Sequence, residues 1–320
     1  MGAPLPAAEV SWTSLGPQKT VVEAVVTNPK NPSVLYAAVK GGGISRSADG
    51  GKTWSSLAPG IRLGEVHALV IHPATPSTMY AGTSTGLFKS TDEGKTWNRL
   101  EKGITSPTIT ALAIDPQAPE TLYVGTWGDG VFLSKDAGAS WSQPAQSLTR
   151  GFLYALAVDP YNSRRVFAGT DGGAFLSEDG GQSWRPMASE LADSTVQAVA
   201  FDPKQAGTIW LAANKWVPGS GYKGTVYKST DGGKSWSATS AGLPDGRIRA
   251  LAVSPQNPSV LYAGLESKGV FQSADAGASW IAANTGLTST DIYALTTHPE
   301  GATRLYAGTA GGVFAMTGAP

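Results

Sequence analysis

Ser47-Ala48-Asp49-Gly50-Gly51-Lys52-Thr53-Trp54 decides the fold, because the chain writes it six times. The same frame ends again at Trp97, Trp141, Trp184, Trp236 and Trp280, with its aspartate at Asp92, Asp136, Asp179, Asp231 and Asp275. The copies follow one another at about 43 residues, the length of one four-stranded propeller blade, with one longer interval between Asp179 and Asp231.

Reading outward from the phrase, each unit repeats as well. An alternating apolar stretch centred on an alanine comes first, as in Val66-His67-Ala68-Leu69-Val70. A proline turn such as Asp115-Pro116 leads to a second strand with an aromatic, as in Leu35-Tyr36 or Leu261-Tyr262. A glycine-containing link then opens a third strand such as Gly130-Val131-Phe132, and the aspartate phrase turns it into a fourth that starts with the tryptophan. Short, β-rich runs bounded by glycine or proline are strand signals. The central alanines are Ala24, Ala68, Ala111, Ala155, Ala198, Ala250 and Ala294, so there are seven units. The seventh ends at Gly312-Val313-Phe314-Ala315-Met316 without an aspartate phrase, whereas Val10-Ser11-Trp12-Thr13-Ser14-Leu15 at the start matches the missing fourth strand. The expected fold is therefore all-β: a single seven-bladed β-propeller over residues 9–317, preceded by a tail at 1–8. Its last blade is closed by the N-terminal strand, which removes the exposed seam.

Composition narrows the function. The 320 residues hold 24 basic and 24 acidic side chains, a balance that argues against nucleic acid. No apolar run is long enough to span a bilayer. With no cysteine and three histidines, thiolate chemistry is excluded and a metal cluster is not expected; nor is any cofactor. The opening Met1-Gly2-Ala3-Pro4-Leu5-Pro6 lacks the basic and apolar regions of a secretory signal. The expectation is a secreted or periplasmic protein whose leader has been removed, with a cytoplasmic one as the alternative, and a monomer.

The repeated phrase resembles the Asp-box, or BNR, repeat, and the resemblance extends over nearly all of residues 10–316. Asp-box propellers include sialidases, two-propeller xyloglucanases, sortilin-type receptors and a photosystem II assembly factor, so the resemblance implies a fold and leaves the activity open. The six aspartates read as structural: a carboxylate in a turn accepts backbone N–H groups, while glycine supplies conformations that a Cβ forbids. The tryptophan is expected to wedge between blades, where one ring buries roughly 150–250 Å². His72 and His298 stand where other units carry Asn28, Asp115, Asp159, Asp202 and Ser254, and read as turn residues.

Positions that break the repeat carry the functional signal. The residue before the central alanine is Glu23, His67, Thr110, Tyr154, Gln197, Arg249 and Tyr293 in turn, between neighbours that are aliphatic in every unit. This varied ring is expected to face the channel or line a pocket. If the Asp-box turns form the lower face, the links between second and third strands lie on the upper face. Seven tryptophans belong to the boxes or their N-terminal equivalent, and Trp210 sits at the second-strand aromatic position. Trp127 and Trp216 are left, both in upper links, and the fifth unit carries an insertion there that includes Trp216 and Tyr222. Lengthened loops on a rigid scaffold often carry function.

A sialidase would need an arginine cluster and the Phe/Tyr-Arg-Ile-Pro motif. The motif is absent, and only Arg249 lies in the ring, with Arg247 and Arg62 in nearby segments, so that activity is not expected. Glu23 and Tyr293 in adjacent blades do not suffice for it. Gly169-Thr170-Asp171-Gly172-Gly173-Ala174-Phe175 resembles a xyloglucanase stretch that carries a catalytic aspartate. Glycoside hydrolysis needs two carboxyl groups about 5–10 Å apart, and Asp129 with Asp171 is the available pair. The first expectation is a non-catalytic scaffold that recognises a protein or peptide on its upper face. Its candidate residues are Trp127, Trp216, Tyr222, Glu23, His67, Tyr154, Arg249, Tyr293, Asp129 and Asp171. The second is a glycan-binding or glycoside hydrolase-like propeller acting on a β-glucan.

Overall fold

Strand by strand, the repeat folds as its alternation requires. The computed structural model describes residues 10–41, 43–57, 64–100, 102–144, 148, 151–298 and 304–317. The proposed tail at 1–8, Arg62 and Pro299 lie outside these. In the first blade an inner strand Val22–Asn28 pairs with Asn31–Val39, then Gly43–Ser47, then Ser55–Leu57. This antiparallel order recurs in seven sheets, and no α-helix occurs among the described residues; one 3-10 turn spans Ser189–Leu191.

The last blade is built from both ends of the repeat. Ile292–Thr297, Leu305–Thr309 and Gly312–Thr317 are followed in space by Ser11–Gly16, with Trp12 opposite Met316. Inner strands of neighbouring blades touch all the way round, and Val22–Asn28 meets those of both the second and the seventh blade, so the ring is closed.

Seven apolar layers lie between blades rather than within them. Each layer holds the box tryptophan of one blade, or Trp12, against the blade before it. Trp97 joins Tyr36, Ile44 and Met79, and Trp280 joins Trp210, Val226 and Phe271. Trp12 packs with Tyr262 and Val270, and its indole N–H donates to the Ala283 carbonyl at 2.7 Å. Close approach of the blades sets the small residues of the second strands. A Cβ on Gly169 would stand 2.3 Å from the Val196 carbonyl oxygen of the next inner strand.

The structure changes three details. The outer strands after Trp54, Trp97, Trp184, Trp236 and Trp280 start one residue past the tryptophan, whereas Trp12 lies within its strand Ser11–Gly16. In the third blade the outer strand contracts to Ser142, which bridges Leu133. The insertion in the fifth unit is no loop: strands Ile209–Val217 and Gly221–Ser229 run on as a β-hairpin, paired out to Val217 and Gly221.

Candidate functional site

The two faces of the ring are distinguished by backbone hydrogen bonds. Each Asp-box turn is tied to the start of the second strand of its own blade or the turn just before it, as in Gly50 N–H to the Ser33 carbonyl at 2.8 Å and Gly180 to Arg164 at 2.8 Å. At the other end, the links between second and third strands are tied to the start of an inner strand. Trp127 N–H donates to Thr108 at 3.1 Å, Asp171 to Phe152 at 3.2 Å and Glu266 to Arg247 at 2.9 Å. Trp127 therefore lies on the face opposite the boxes, and Trp216, near the tip of the extended hairpin, projects on that same upper side.

The boxes are self-contained. The Ser47 hydroxyl donates to Asp49 at 2.8 Å and accepts the Gly51 N–H at 2.8 Å. Thr53 gives Asp49 both its N–H, at 2.9 Å, and its hydroxyl, at 2.6 Å. The other five copies repeat this network, as at Ser134, Asp136, Gly138 and Ser140. The box threonine or serine hydroxyl is the main reason that Asp49, Asp92, Asp136 and Asp275 are held at about 2, with its N–H adding to the effect. These carboxylates are spread one per blade around the rim, with their oxygens used inside the turn. The histidines at the strand turns are structural too. His72 Nδ1 accepts the Thr75 N–H at 3.0 Å, and buried His298 meets the Asn28 carbonyl at 3.0 Å across the closing interface.

Every residue of the varied ring sits on a β-bulge. In each blade the pairing steps from the aliphatic residue to the central alanine and skips the one between, as at Val22/Ala24, Leu153/Ala155 and Ile248/Ala250. A bulge leaves one residue unpaired and re-aims its side chain. All seven side chains, Glu23, His67, Thr110, Tyr154, Gln197, Arg249 and Tyr293, line one cavity of about 310 Å³, together with Trp127, Leu153 and Arg247.

Within it, one side is charged and tied together. His67 Nδ1 lies 3.8 Å from Glu23, Arg249 pairs with Glu266 at 2.8 Å, and the Arg249 guanidinium lies over the Tyr293 ring at 5.0 Å. The other side is aromatic. Trp127 is 60% exposed and stands edge-on to Phe152 at 4.5 Å, and Tyr154 is 37% exposed. Burial pushes the Tyr154 hydroxyl up, opposed by the charge of nearby Arg247. Arg247 donates to Gln197 at 2.9 Å and lies 5.1 Å over Tyr222, whose ring packs against Trp216 at 5.1 Å. Trp216 is 59% exposed. An aromatic ridge thus runs from Trp127 through Tyr154 and Arg247 to the hairpin tip.

Asp129 and Asp171 do not line the cavity. Asp171 Oδ1 accepts the Phe152 N–H at 3.1 Å, as the Ser84 hydroxyl accepts the Glu65 N–H in the second blade, and Asp129 accepts the Thr105 hydroxyl at 3.3 Å. Both carboxylates therefore tie upper links in place. No cluster of metal-ligating side chains occurs among the described residues.

The residues not assigned to the site from sequence are Arg247, Glu266 and Phe152. Phe152 and Arg247 stand two places before a bulge residue, at the upper ends of the inner strands. The corresponding residues are Val21, Glu65, Thr108, Thr195 and Asp291, a second varied ring. The signal was there one step earlier in the repeat.

Comparison with known proteins agrees with this architecture. The family model described as sortilin, neurotensin receptor 3, matches residues 129–238. No curated protein sequence matches the chain. The GH74 xyloglucanase of Xanthomonas campestris superposes with a TM-score of 0.76 at 21% identity, over 96% of this chain and 53% of that one. The chain thus spans about half the length of the xyloglucanases it matches. YCF48 of Cyanidioschyzon merolae superposes at 0.71 with 15% identity, over 96% and 98% of the two chains. YCF48 bound to D1 peptide does so at 0.70 with 14% identity, over 98% and 97%. The extracellular domain of a two-component system of B. thetaiotaomicron gives 0.71 at 14% identity, over 96% and 39%. The chain is a seven-bladed β-propeller, similar in fold to all three.

Proposed function

We propose that the protein is a non-catalytic platform that captures a peptide segment of a protein partner on its upper face. The observation that carries this reading is the convergence of seven side chains of six types, one per blade, on a single cavity bordered by an exposed aromatic ridge. Exposed tryptophan and arginine stacked on tyrosine are the residue types that dominate protein-binding hot spots. The peptide seen with YCF48, a propeller of matching length, supports the same use of the fold. We place the protein outside the cytoplasm or in the periplasm, as with the extracellular relative, and take it to act as a monomer; no described helix is long and apolar enough to cross a membrane.

A displayed random-peptide library panned on the wild-type ring tests this. Selected peptides should lose about tenfold or more in affinity on Trp127→Ala and on Trp216→Ala, at unchanged melting temperature. Peptides bound equally by both variants would move the site elsewhere.

A glycan ligand is the second reading, favoured by the exposed Trp127 ring, by the carboxylates of Asp129 and Asp171 in the upper links, and by the xyloglucanase likeness. Hydrolysis of a β-glucan that disappears in Asp171→Asn would establish it over the first. The hydrogen bonds that engage Asp129 and Asp171 in the links speak against hydrolysis.

A further inference from the structure

On the opposite face, the grooves between blades follow a rule that one of them breaks. Where a blade presents a cation to the Asp-box of the next, the cation finds an oxygen. Arg46 reaches Glu93 at 3.1 Å, Lys89 donates to the Ala137 carbonyl at 2.8 Å, and Arg165 binds Asp159 at 3.1 Å beside Gly232. Between the fifth and sixth blades the equivalent cation is Lys228. Its ammonium lies 5.3 Å over the Trp210 ring, and the Trp210 N–H already donates to the Ala276 carbonyl at 3.1 Å. No carboxylate or carbonyl partner exists for that ammonium among the described residues.

The same groove is a cavity of about 490 Å³. Thr208 lines it in the position that Arg165 fills one interface earlier. Thr208 is 4% exposed, and its hydroxyl has no hydrogen-bond partner. Lys204, Thr230 and Ser259 also line the groove. The Lys204 ammonium bonds the Gln256 carbonyl at 2.5 Å. One carboxylate, Asp202, is present, and its Oδ1 accepts the N–H groups of Lys204 and Gln205 at 2.8 and 3.0 Å. Two ammoniums and one carboxylate leave the groove with a single net positive charge, and its other polar side chains are the Gln205 amide, the Trp210 indole N–H and the hydroxyls of Thr208, Thr230 and Ser259.

We propose that this groove binds a tetrahedral oxyanion, a phosphate or sulfate group either free or esterified, between Lys228, Lys204 and the hydroxyls of Thr208, Thr230 and Ser259. Three or four oxygens match this set of donors better than the two of a carboxylate, and hydrogen bonds from ammonium groups to an oxyanion are the strong kind. The site is independent of the upper face.

Equilibrium dialysis with labelled inorganic phosphate, at fixed ionic strength, is the test. One phosphate should bind per chain, weakened about tenfold or more by Lys228→Gln and by Thr208→Val. Lys89→Gln, at the corresponding place between the second and third blades, should bind as wild type. A second measurement needs no variant: phosphate should protect Lys228 and Lys204 of the wild-type protein from acetylation, read by mass spectrometry, where chloride does not. A phosphoserine peptide binding more tightly than inorganic phosphate would place the group on a larger ligand, and equal affinities would make it the free ion. No saturable binding up to about 10 mM, binding unchanged in both groove variants, or unprotected lysines would overturn the proposal.

Discussion

An aspartate that recurs six times invites a catalytic or metal-binding interpretation, and at the scale of single residues the hydrogen bonds decide against it. Asp136 is consumed by Ser134 and Ser140, and the network is local enough to follow from the order of residues in the box. Because the folded pKa of about 2 lies below the ordinary carboxylate value, the boxes contribute stability that is complete above about pH 4. That contribution is lost as pH falls toward 2. The melting temperature should therefore drop between pH 4 and 2, and Asp136→Ala should lower it by a few degrees at pH 7 while peptide capture on the upper face is unchanged. A second prediction concerns the residue after the aspartate. Gly50, Gly180 and Gly232 have φ near +74°, and Ala137 and Ala276 adopt 54° and 59°. An L-residue pays about 1–2 kcal/mol there, offset in part by the larger entropy of an unfolded glycine. Ala137→Gly should stabilise the protein by about 0.5–1 kcal/mol in chemical denaturation.

At the scale of elements, two features behave differently from their sequence reading. The fifth-blade insertion continues the pleat as a hairpin, because the rings of Trp216 and Tyr222 pack against each other in register, against the repulsion of Lys215 opposite Lys223. The turn signal Pro218-Gly219-Ser220-Gly221 was legible; that the strands persist to it depends on this aromatic pair. Below the hairpin, Asn214, 1% exposed, donates to the Ile248 carbonyl at 2.9 Å and accepts its N–H at 2.7 Å. This asparagine clamps the fifth blade to the sixth. Asn214→Ala would leave a buried backbone N–H and carbonyl without partners, at a cost of about 1–3 kcal/mol. A lower denaturation midpoint at unchanged slope is the expected outcome. The bulges are the other such feature. The varied ring was visible as a column of unlike residues between aliphatic neighbours. The extra unpaired residue that turns each into the channel shows only in the strand register.

For the whole molecule, closure is the controlling event. Ser11–Gly16 supplies the outer strand of the blade that ends at Thr317, and Trp12 fills the layer against the sixth blade. Removing residues 1–16 should expose a strand edge and a tryptophan-sized gap, so the truncated chain should unfold less cooperatively and aggregate in light scattering. Trp12→Ala in the full chain should cost about 3–5 kcal/mol, the usual loss for a large core aromatic. Seven units, their strand order, the closing strand and the structural nature of the boxes could all be derived from the amino-acid order. They rest on hydrogen bonds within a few residues, on strict alternation, and on a repeat that reports the same local solution many times. The sequence placed the varied ring and the two tryptophans at one mouth, but their gathering into a single cavity and ridge, the pairing of Arg249 with Glu266, and the Lys228 ammonium without an oxygen partner among the described residues came only from the tertiary structure. The cavity and the ridge depend on residues from different blades being brought together, a placement set by the rotation from blade to blade and the closing of the ring, which no local pattern encodes; the Arg249–Glu266 pair lies within the sixth blade and depends on the bulge that re-aims Arg249.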